Sequence, residues 1–576
     1  MNKTAFRVLF AMLFIFTVAG CSSGSNTNQD AGVDGSVTSD SGVPDRGPHL
    51  IFSTYIGGSQ KCAGCLDAFT FALNSASDSS GNTYVTGLTQ VRDLPVKSAF
   101  QSQPATGSTQ SAFVMKYDTT GQILWGTYLG GDNQSIGIGI AAMPGGGVAV
   151  SGITTSDSGP FPVKNAFQSA NNGNGDYFVA VFDKDGNLQY STLLGGSEAE
   201  GEAGVQFADN SSNGNNLAAD SSGLLYLTGI TASGGIGVTT LFPTTSNAVQ
   251  PAFGGEIDAF LAIIDPTKTG SASLLYSSFI GGSGNEKGHG ITANSGGSAV
   301  TVVGYTDSAD FPTTSNGYRS TPATSGFQSN GFVAQFSSSA PGSTSATYAK
   351  AYATYLGGIL GKPRDDAYGV TQDKNGLILI TGRTQSADFP MLDSTHPSIY
   401  NTATYLSPGV SNDEPYLTKL NPTKSGAASL VYSTFLGGGS TSGGGGGFCT
   451  VVAVDQSGNA YVAGETSASG TLYTYSPTPG PAPQATPYTA DAYMNSYQGN
   501  TDVLLMEVSA QGSTLSYSTF LGGPENDRAY GMAIDPSGNF IVSGLSYSAN
   551  FPVKNPAQQY PGNTGKMNGF VTKMGR

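Results

Sequence analysis

The sequence predicts an all-β fold: a seven-bladed β-propeller of four-stranded antiparallel blades, closed by an N-terminal outer strand that joins the C-terminal blade. Three observations predict it. Variants of Tyr-Ser-Thr-Phe-Leu-Gly-Gly occur seven times, ending in glycine pairs at 57–58, 130–131, 195–196, 281–282, 357–358, 437–438 and 522–523. A unit recurring every 65 to 86 residues marks one architecture repeated. The strands also carry large apolar groups on both faces: Tyr432, Thr434 and Leu436 point one way, Ser433 and Phe435 the other. Both faces must then be covered, as in a blade flanked by copies of itself; a two-layer sandwich would leave one face polar.

The last copy shows the elements in order. Tyr530-Gly-Met-Ala-Ile534 reads as a short apolar strand. Asp535-Pro-Ser-Gly538 is a tight turn, in which Asp bonds the backbone, Pro presets φ and Gly takes a positive φ. Asn539-Phe-Ile-Val-Ser-Gly544 is the second strand, a loop passes through Asn550-Phe-Pro552, and Gly569-Phe-Val-Thr-Lys573 is the third strand. In earlier copies an outer strand follows, such as Leu515-Ser-Tyr-Ser-Thr-Phe-Leu521, and the glycine pair ends it. The first turn recurs as Asp78-Ser-Ser-Gly81, Asp220-Ser-Ser-Gly223, Asp373-Lys-Asn-Gly376 and Asp455-Gln-Ser-Gly458. Four short strands per copy, joined up and down, make one small sheet. Repeats start near 51, 125, 190, 276, 351, 432 and 517.

Tyr-Ser-Thr-Phe-Leu-Gly-Gly, then Ala-Ile-Asp-Pro-Ser-Gly-Asn, then an Asp-Phe-Pro element, then Phe-Val-Thr-Lys, together resemble the SBBP repeat of seven-bladed β-propeller proteins of bacterial and archaeal envelopes. The resemblance covers residues 50–576. It implies the fold and an envelope setting, and no catalytic motif, because that family has none established. Copy three departs from the pattern with an Asn/Ser-rich insertion near 209–216. Copy four has Asn294 for the turn Asp, and copy six replaces Phe-Pro with a proline-rich run at 475–487.

The ends of the repeat region are complementary. The domain begins with an outer strand, Leu50-Ile-Phe-Ser-Thr-Tyr-Ile56, and ends after a third strand at Lys573. One blade is expected from both ends, with Phe52 and Tyr55 in the blade formed by 524–576, which removes an exposed seam.

Residues 1–20 read as a lipoprotein signal peptide. Lys3 and Arg7 precede an apolar run at 8–18, too short to span a bilayer. Val18-Ala19-Gly20-Cys21 resembles the bacterial lipobox, which makes Cys21 the lipidation site. Ser22 in place of Asp implies, by the same resemblance, sorting to the outer membrane or cell surface. Residues 21–49 form a flexible Ser/Gly/Asn/Asp-rich tether that buries too little to order itself, and 50–576 form a single domain. The net charge of −15 comes with only 11% charged residues and no basic stripe, which excludes nucleic-acid binding. The 82 glycines suit a Gly-rich β repeat.

Candidate chemistry is sparse. Cys62-Ala-Gly-Cys65 reads as a structural disulfide or two free thiols, since no helix start is evident for a redox motif. A zinc site from Cys62, Cys65, His289 and Cys449 would have to converge across the channel from blades that are not neighbours. Asp183-Lys-Asp185-Gly-Asn187 begins like a calcium loop but lacks the closing acid, and reads as a turn. His49, His289 and His396 adjoin no nucleophile motif. The glycines at 443–447 lack a following Lys-Ser/Thr, and Trp125 alone does not make a quinoprotein pattern. No cofactor, metal or catalytic residue is expected.

Repetition of Thr-x-Ser and Asp-Phe-Pro, as at 306–312 and 384–390, argues for structure. Function is expected where copies differ: the loops at 232–256, 315–328, 393–412 and 473–498, the last carrying Tyr473, Tyr475, Tyr488, Tyr493 and Tyr497 as a partner-binding loop. The sequence therefore reads as a monomeric, lipid-anchored, non-enzymatic binding scaffold for a protein or glycan, touching the membrane through its anchor alone. The alternative is an extracellular enzyme acting on polysaccharide with carboxylates at the channel mouth.

Overall fold

A computed structural model describes residues 48–575 apart from 63–64, 66–67, 157–160, 202–213, 323–328, 344–345, 359–363, 387, 392–398, 403–412, 438–447, 468–469, 473, 475–479, 482–485 and 563–566. Residues 47–576 make one compact unit. Seven four-stranded antiparallel sheets carry the repeats. Blades 1 to 6 span 70–129, 135–194, 217–280, 286–356, 365–435 and 448–521. The first strands of successive blades pack side by side in cyclic order, blade 7 against blade 1, which makes the ring. They enclose a channel of about 320 Å³ lined by small aliphatic and neutral polar side chains such as Ser75, Ala141, Ala218, Thr292, Thr371 and Ala533.

Blade 7 combines Asp527–Ile534, Phe540–Ser546 and Asn568–Gly575 with the N-terminal strand His49–Ile56. The register places Phe52 opposite Lys573 and Tyr55 opposite Phe570. Closure by the N-terminal strand is therefore as expected, with one boundary moved: His49, assigned to the tether, is the first strand residue and pairs with Gly575. An edge backbone left open there would expose a row of unpaired groups, so pairing extends to the last residue that can reach.

The first turns form as the residues dictate. Asp535 Oδ1 accepts the Ser537 and Asn539 N–H groups at 2.8 and 2.9 Å, and Gly538 takes φ 84°. Asp78, Asp220, Asp373 and Asp455 repeat this. In three blades the turn Asp also meets a buried third-strand lysine: Asp78–Lys116 at 3.6 Å, Asp373–Lys419 at 2.9 Å and Asp535–Lys573 at 2.6 Å. Each lysine reaches on to a carbonyl of the next blade, as Lys573 does to Gly81 at 3.0 Å. The Phe of each Phe-Pro element packs on a third-strand aromatic: Phe161 on Phe178, Phe242 on Phe260, Phe311 on Phe332, Phe389 on Tyr416 and Phe551 on Phe570, with ring centres 4.3 to 4.8 Å apart.

The proline-rich run of blade 6 lies between its second and third strands, inside the blade. Short parallel pairings join Tyr400–Thr402 of the blade 5 loop to Gly480–Pro481, and Gly470–Leu472 to Thr486–Tyr488. The variable loops of blades 5 and 6 are thus stitched together.

Candidate functional site: the Gly-Gly end of the ring

Antiparallel order fixes which groups share an end. First strands begin, second strands end, third strands begin and outer strands end at the same rim, so the glycine pairs lie there, and the loops between second and third strands leave from and return to it, running along the outer strands where they are described. The Asp-x-x-Gly turns lie at the other end.

A buried polar belt runs around the Gly-Gly rim. In register across each blade stand Thr70–Thr89–Ser111, Ser135–Thr154–Asp176, Glu200–Thr231–Asp258, Glu286–Thr306–Asn330, Asp365–Thr384–Glu414 and Asp527–Ser546–Asn568, with Thr466–Asp502 in blade 6. The first-strand acids accept backbone N–H groups from the glycine pairs: Gly196 to Glu200 at 2.9 Å, Gly282 to Glu286 at 2.8 Å, Gly358 to Asp365 at 2.9 Å and Gly523 to Asp527 at 2.7 Å. Their hydroxyl partners are the Thr-x-Ser elements, as Thr231 to Glu200 at 2.8 Å and Ser548 to Asp527 at 2.8 Å. Burial pushes the carboxyls up: Glu200, Asp258, Asp365 and Asp502 to about 7, Asp527 to about 6 and Glu414 to about 8. None of the six is exposed to solvent.

One step inward, facing the channel mouth, a second ring of cross-strand pairs varies from blade to blade. The pairs are Phe71–Leu88, Ile136–Ile153, Lys287–Tyr305, Asp366–Arg383, Phe448–Glu465 and Arg528–Leu545. Blades 1 and 2 are apolar here, and blades 4 to 7 carry charge. The densest part is in blade 5. Buried Asp366 accepts Arg383 Nε at 2.8 Å and the Tyr368 hydroxyl at 3.0 Å, and Arg364 Nε stands 3.4 Å away. Burial works to raise the Asp366 carboxyl; the Arg383 and Arg364 guanidiniums overcome it and hold the group below the usual carboxylate range. Arg383 also reaches Asp413 at 3.5 Å and lies over the Tyr368 ring. His289 stacks on that ring, with its Nδ1 3.1 Å from the Ala367 carbonyl oxygen. In blades 6 and 7, Arg528 Nε meets Glu465 at 2.9 Å. Arg364 and Arg528 keep part of their side chains in solvent.

The residues singled out from sequence are placed as follows. Cys62 and Cys65 are joined, with Cα atoms 5.3 Å apart, and both sulfurs lie against the Thr109 carbonyl. Asp183 makes a turn, accepting the N–H groups of Asp185 and Asn187 at 2.9 Å. Tyr493 is 38% exposed, whereas Tyr488 and Tyr497 are half-buried, and Tyr497 donates to the Asn500 carbonyl at 2.8 Å. Cys21, Tyr473, Tyr475, His396 and the glycines at 443–447 lie outside the described residues, as does the Cys449 side chain. Among the described residues no group of three or more His, Cys, Asp and Glu is placed to hold a metal ion. Sequence reasoning missed the belt acids and the Asp366–Arg383 cluster. The available signal was Arg383 standing where other copies have Leu88, Ile153, Ile230 and Leu545.

No family model matches this chain. The regulatory protein FlaEY of Caulobacter vibrioides is 26% identical over 206 residues, 36% of this chain and 19% of that protein. The chain thus spans about a fifth of the length of the curated relative it matches. Among solved structures, the polysaccharide lyase Uly1 covers 92% of this chain and 98% of its own, at 8% identity and a TM-score of 0.40. A protein of unknown function from Dyadobacter fermentans covers 92% and 99%, at 9% identity and a TM-score of 0.37.

Proposed function

We propose that this chain is an SBBP-type propeller of the bacterial envelope, lipidated at Cys21, that holds a protein partner at the Gly-Gly end of its ring and performs no catalysis. One observation carries the reading: the unrepeated charged pairs of blades 4 to 7 stand at the one end from which the variable loops depart. A repeated position serves the ring, and an unrepeated one is free to serve a partner. Arg364 and Arg528, each tied by Nε to a buried or near-buried acid, are stiffened cations with part of the guanidinium still in water.

The burial of the belt carboxyls supports binding over hydrolysis. A general acid for glycoside chemistry must touch the bond it protonates. The raised belt carboxyls, Glu286 among them, are closed off from solvent. The described residues lining the channel are uncharged. His49 lies at the turn end of the ring, opposite the Gly-Gly end.

Crosslinking of the full-length chain in cells, followed by mass spectrometry, tests this beside Arg364→Ala and a variant shortened within 473–498. One dominant protein lost in the variants is expected. Absence of any protein partner would overturn the reading and bring forward a glycan ligand or a polysaccharide-acting enzyme. Loss of membrane association in Cys21→Ser tests the anchor separately.

A further inference from the structure

Where one blade hands over to the next, the first glycine of each pair sits between a third-strand residue of the outgoing blade and a first-strand residue of the incoming one. Between blades 4 and 5 these are Asn330 and Asp365, and the Asn330 amide nitrogen and Asp365 Oδ2 both crowd Gly357. At three other seams a carboxyl takes the amide's seat. Asp176 Oδ1 and Glu200 Oε2 crowd Gly195, Asp258 Oδ1 and Glu286 Oε2 crowd Gly281, and Asp502 Oδ1 and Asp527 Oδ2 crowd Gly522. A methyl group on Gly522 would stand 2.5 Å from Asp502 Oδ1 and 3.0 Å from Asp527 Oδ2.

At each of these seams two acceptor oxygens flank the same glycine in a site closed to water. One carboxylate is held by donors: Asp527 Oδ2 takes the Gly523 N–H at 2.7 Å and the Ser548 hydroxyl at 2.8 Å. Its neighbour Asp502 takes the Gln498 N–H on Oδ2 at 2.8 Å, while its Oδ1 has no hydrogen-bond partner among the described residues. No ion pair reaches Glu200, Asp258, Glu286, Asp502 or Asp527 among the described residues. Among the described residues, the titratable groups facing these five carboxyls add no positive charge. They are Asp307, Asp310 and Tyr355 about Glu286, Tyr55 and Tyr497 about the blade 6–7 pair, and Glu198 beside the blade 2–3 pair. Two like charges buried about one glycine with no counter-ion cannot both stay ionised, and a protonated carboxyl stands there as a neutral group, as the Asn330 amide does beside Asp365.

We propose that the three seams Asp176–Glu200, Asp258–Glu286 and Asp502–Asp527 each hold one shared proton between their two carboxyls, so that ring closure is linked to proton binding and the blades grip less tightly as the surroundings turn alkaline. The upward shifts of Glu200, Asp258, Glu286 and Asp502 by burial agree. The sign follows from them. A carboxyl raised in the folded state binds its proton more tightly there than when unfolded. Its contribution is whole below the unfolded value near 4 and is lost as pH rises through about 7.

The test is the melting temperature of the full chain from pH 5 to 9, and the protons released on unfolding at pH 6 from calorimetry in buffers of different ionisation enthalpy. The unaltered chain should melt lower with rising pH across 6 to 8. Asp176→Asn/Asp258→Asn/Asp502→Asn installs the blade 4–5 arrangement at all three seams. It should flatten that slope and release fewer protons, by about one per seam. Asp365 and Glu414 continue to contribute in both chains, so the difference is the readout. Asp502→Asn alone, with a loss of about one proton, serves if the triple variant does not fold. A flat profile in the unaltered chain, or equal proton release in the variants, would overturn the proposal.

Discussion

Tyr55, near the start of the ring, donates its hydroxyl to the carbonyl of Ser548 at 2.6 Å and receives the Phe551 N–H at 2.9 Å, across 493 residues of chain. Tyr355 makes the same pair of bonds to Ser308 and Phe311 at 2.9 Å within continuous blade 4. The closing blade thus reproduces, from two chain ends, the geometry of an uninterrupted blade. Tyr55→Phe leaves a buried carbonyl and N–H unsatisfied and is expected to cost about 1–3 kcal/mol. Tyr355→Phe should cost a similar amount, as read by chemical denaturation. Phe52→Ala should cost more, about 3–5 kcal/mol, because Phe52 is fully buried between the closing blade and blade 1. Removing 49–58 should give an open, self-associating ring; a monomeric deletion variant with an unchanged melting temperature would count against closure.

How much of this was legible in the sequence depends on how local each device is. Asp535 and Gly538 sit three residues apart and make their turn alone, so the pattern reads directly. Closure was legible because an orphan outer strand at 50–56 and a missing one after 573 have one joint solution. The belt was not. Glu286 follows its glycine pair by four residues and Asp365 follows its own by seven, while their partners Asp258 and Asn330 belong to the previous blade. Nor could the five tyrosines of 473–498 be sorted by exposure, since Tyr497 is drawn inward by a local bond that its spacing does not reveal.

Two glycines separate crowding from conformational strain. Gly522→Ala meets two carboxylate oxygens at 2.5 and 3.0 Å, whereas Gly538→Ala meets nothing within 4 Å but must hold φ 84°. Gly538→Ala is expected to cost roughly 1–2 kcal/mol from left-handed backbone strain. Gly522→Ala should cost about 3 kcal/mol, the upper part of the range for overpacking. Equal losses in denaturant titrations would show that the belt yields freely around the glycine.

The buried Asp535–Lys573 pair contributes to the acid limb of stability. Burial acts to raise the Asp535 carboxyl, and Lys573 together with the Asn539 donors lowers it below its usual value. A lowered carboxyl contributes stability above the unfolded value near 4 and loses it as pH falls through the folded value. Lys573→Met strands a buried carboxylate and is expected to cost about 3–5 kcal/mol at neutral pH. Asp535→Asn/Lys573→Met should recover much of that and soften the loss below pH 4, as measured by melting temperature against pH.

The charged mouth separates a residue that holds the ring from one free to hold a partner. Arg383 bridges buried Asp366 and Asp413, and its side chain is nearly closed from solvent. Arg364 meets the same Asp366 from the rim with about two-fifths of its side chain exposed. Arg383→Met removes the closer counter-charge of a buried carboxylate and should destabilise by about 3–5 kcal/mol. Arg364→Ala leaves the 2.8 Å bond from Arg383 to Asp366 in place and should change stability by no more than about 1 kcal/mol, as for an exposed ion pair. The partner crosslink should nonetheless disappear in Arg364→Ala. A variant that folds as the unaltered chain does and keeps its crosslink would move the binding surface from the mouth to the stitched loops of blades 5 and 6.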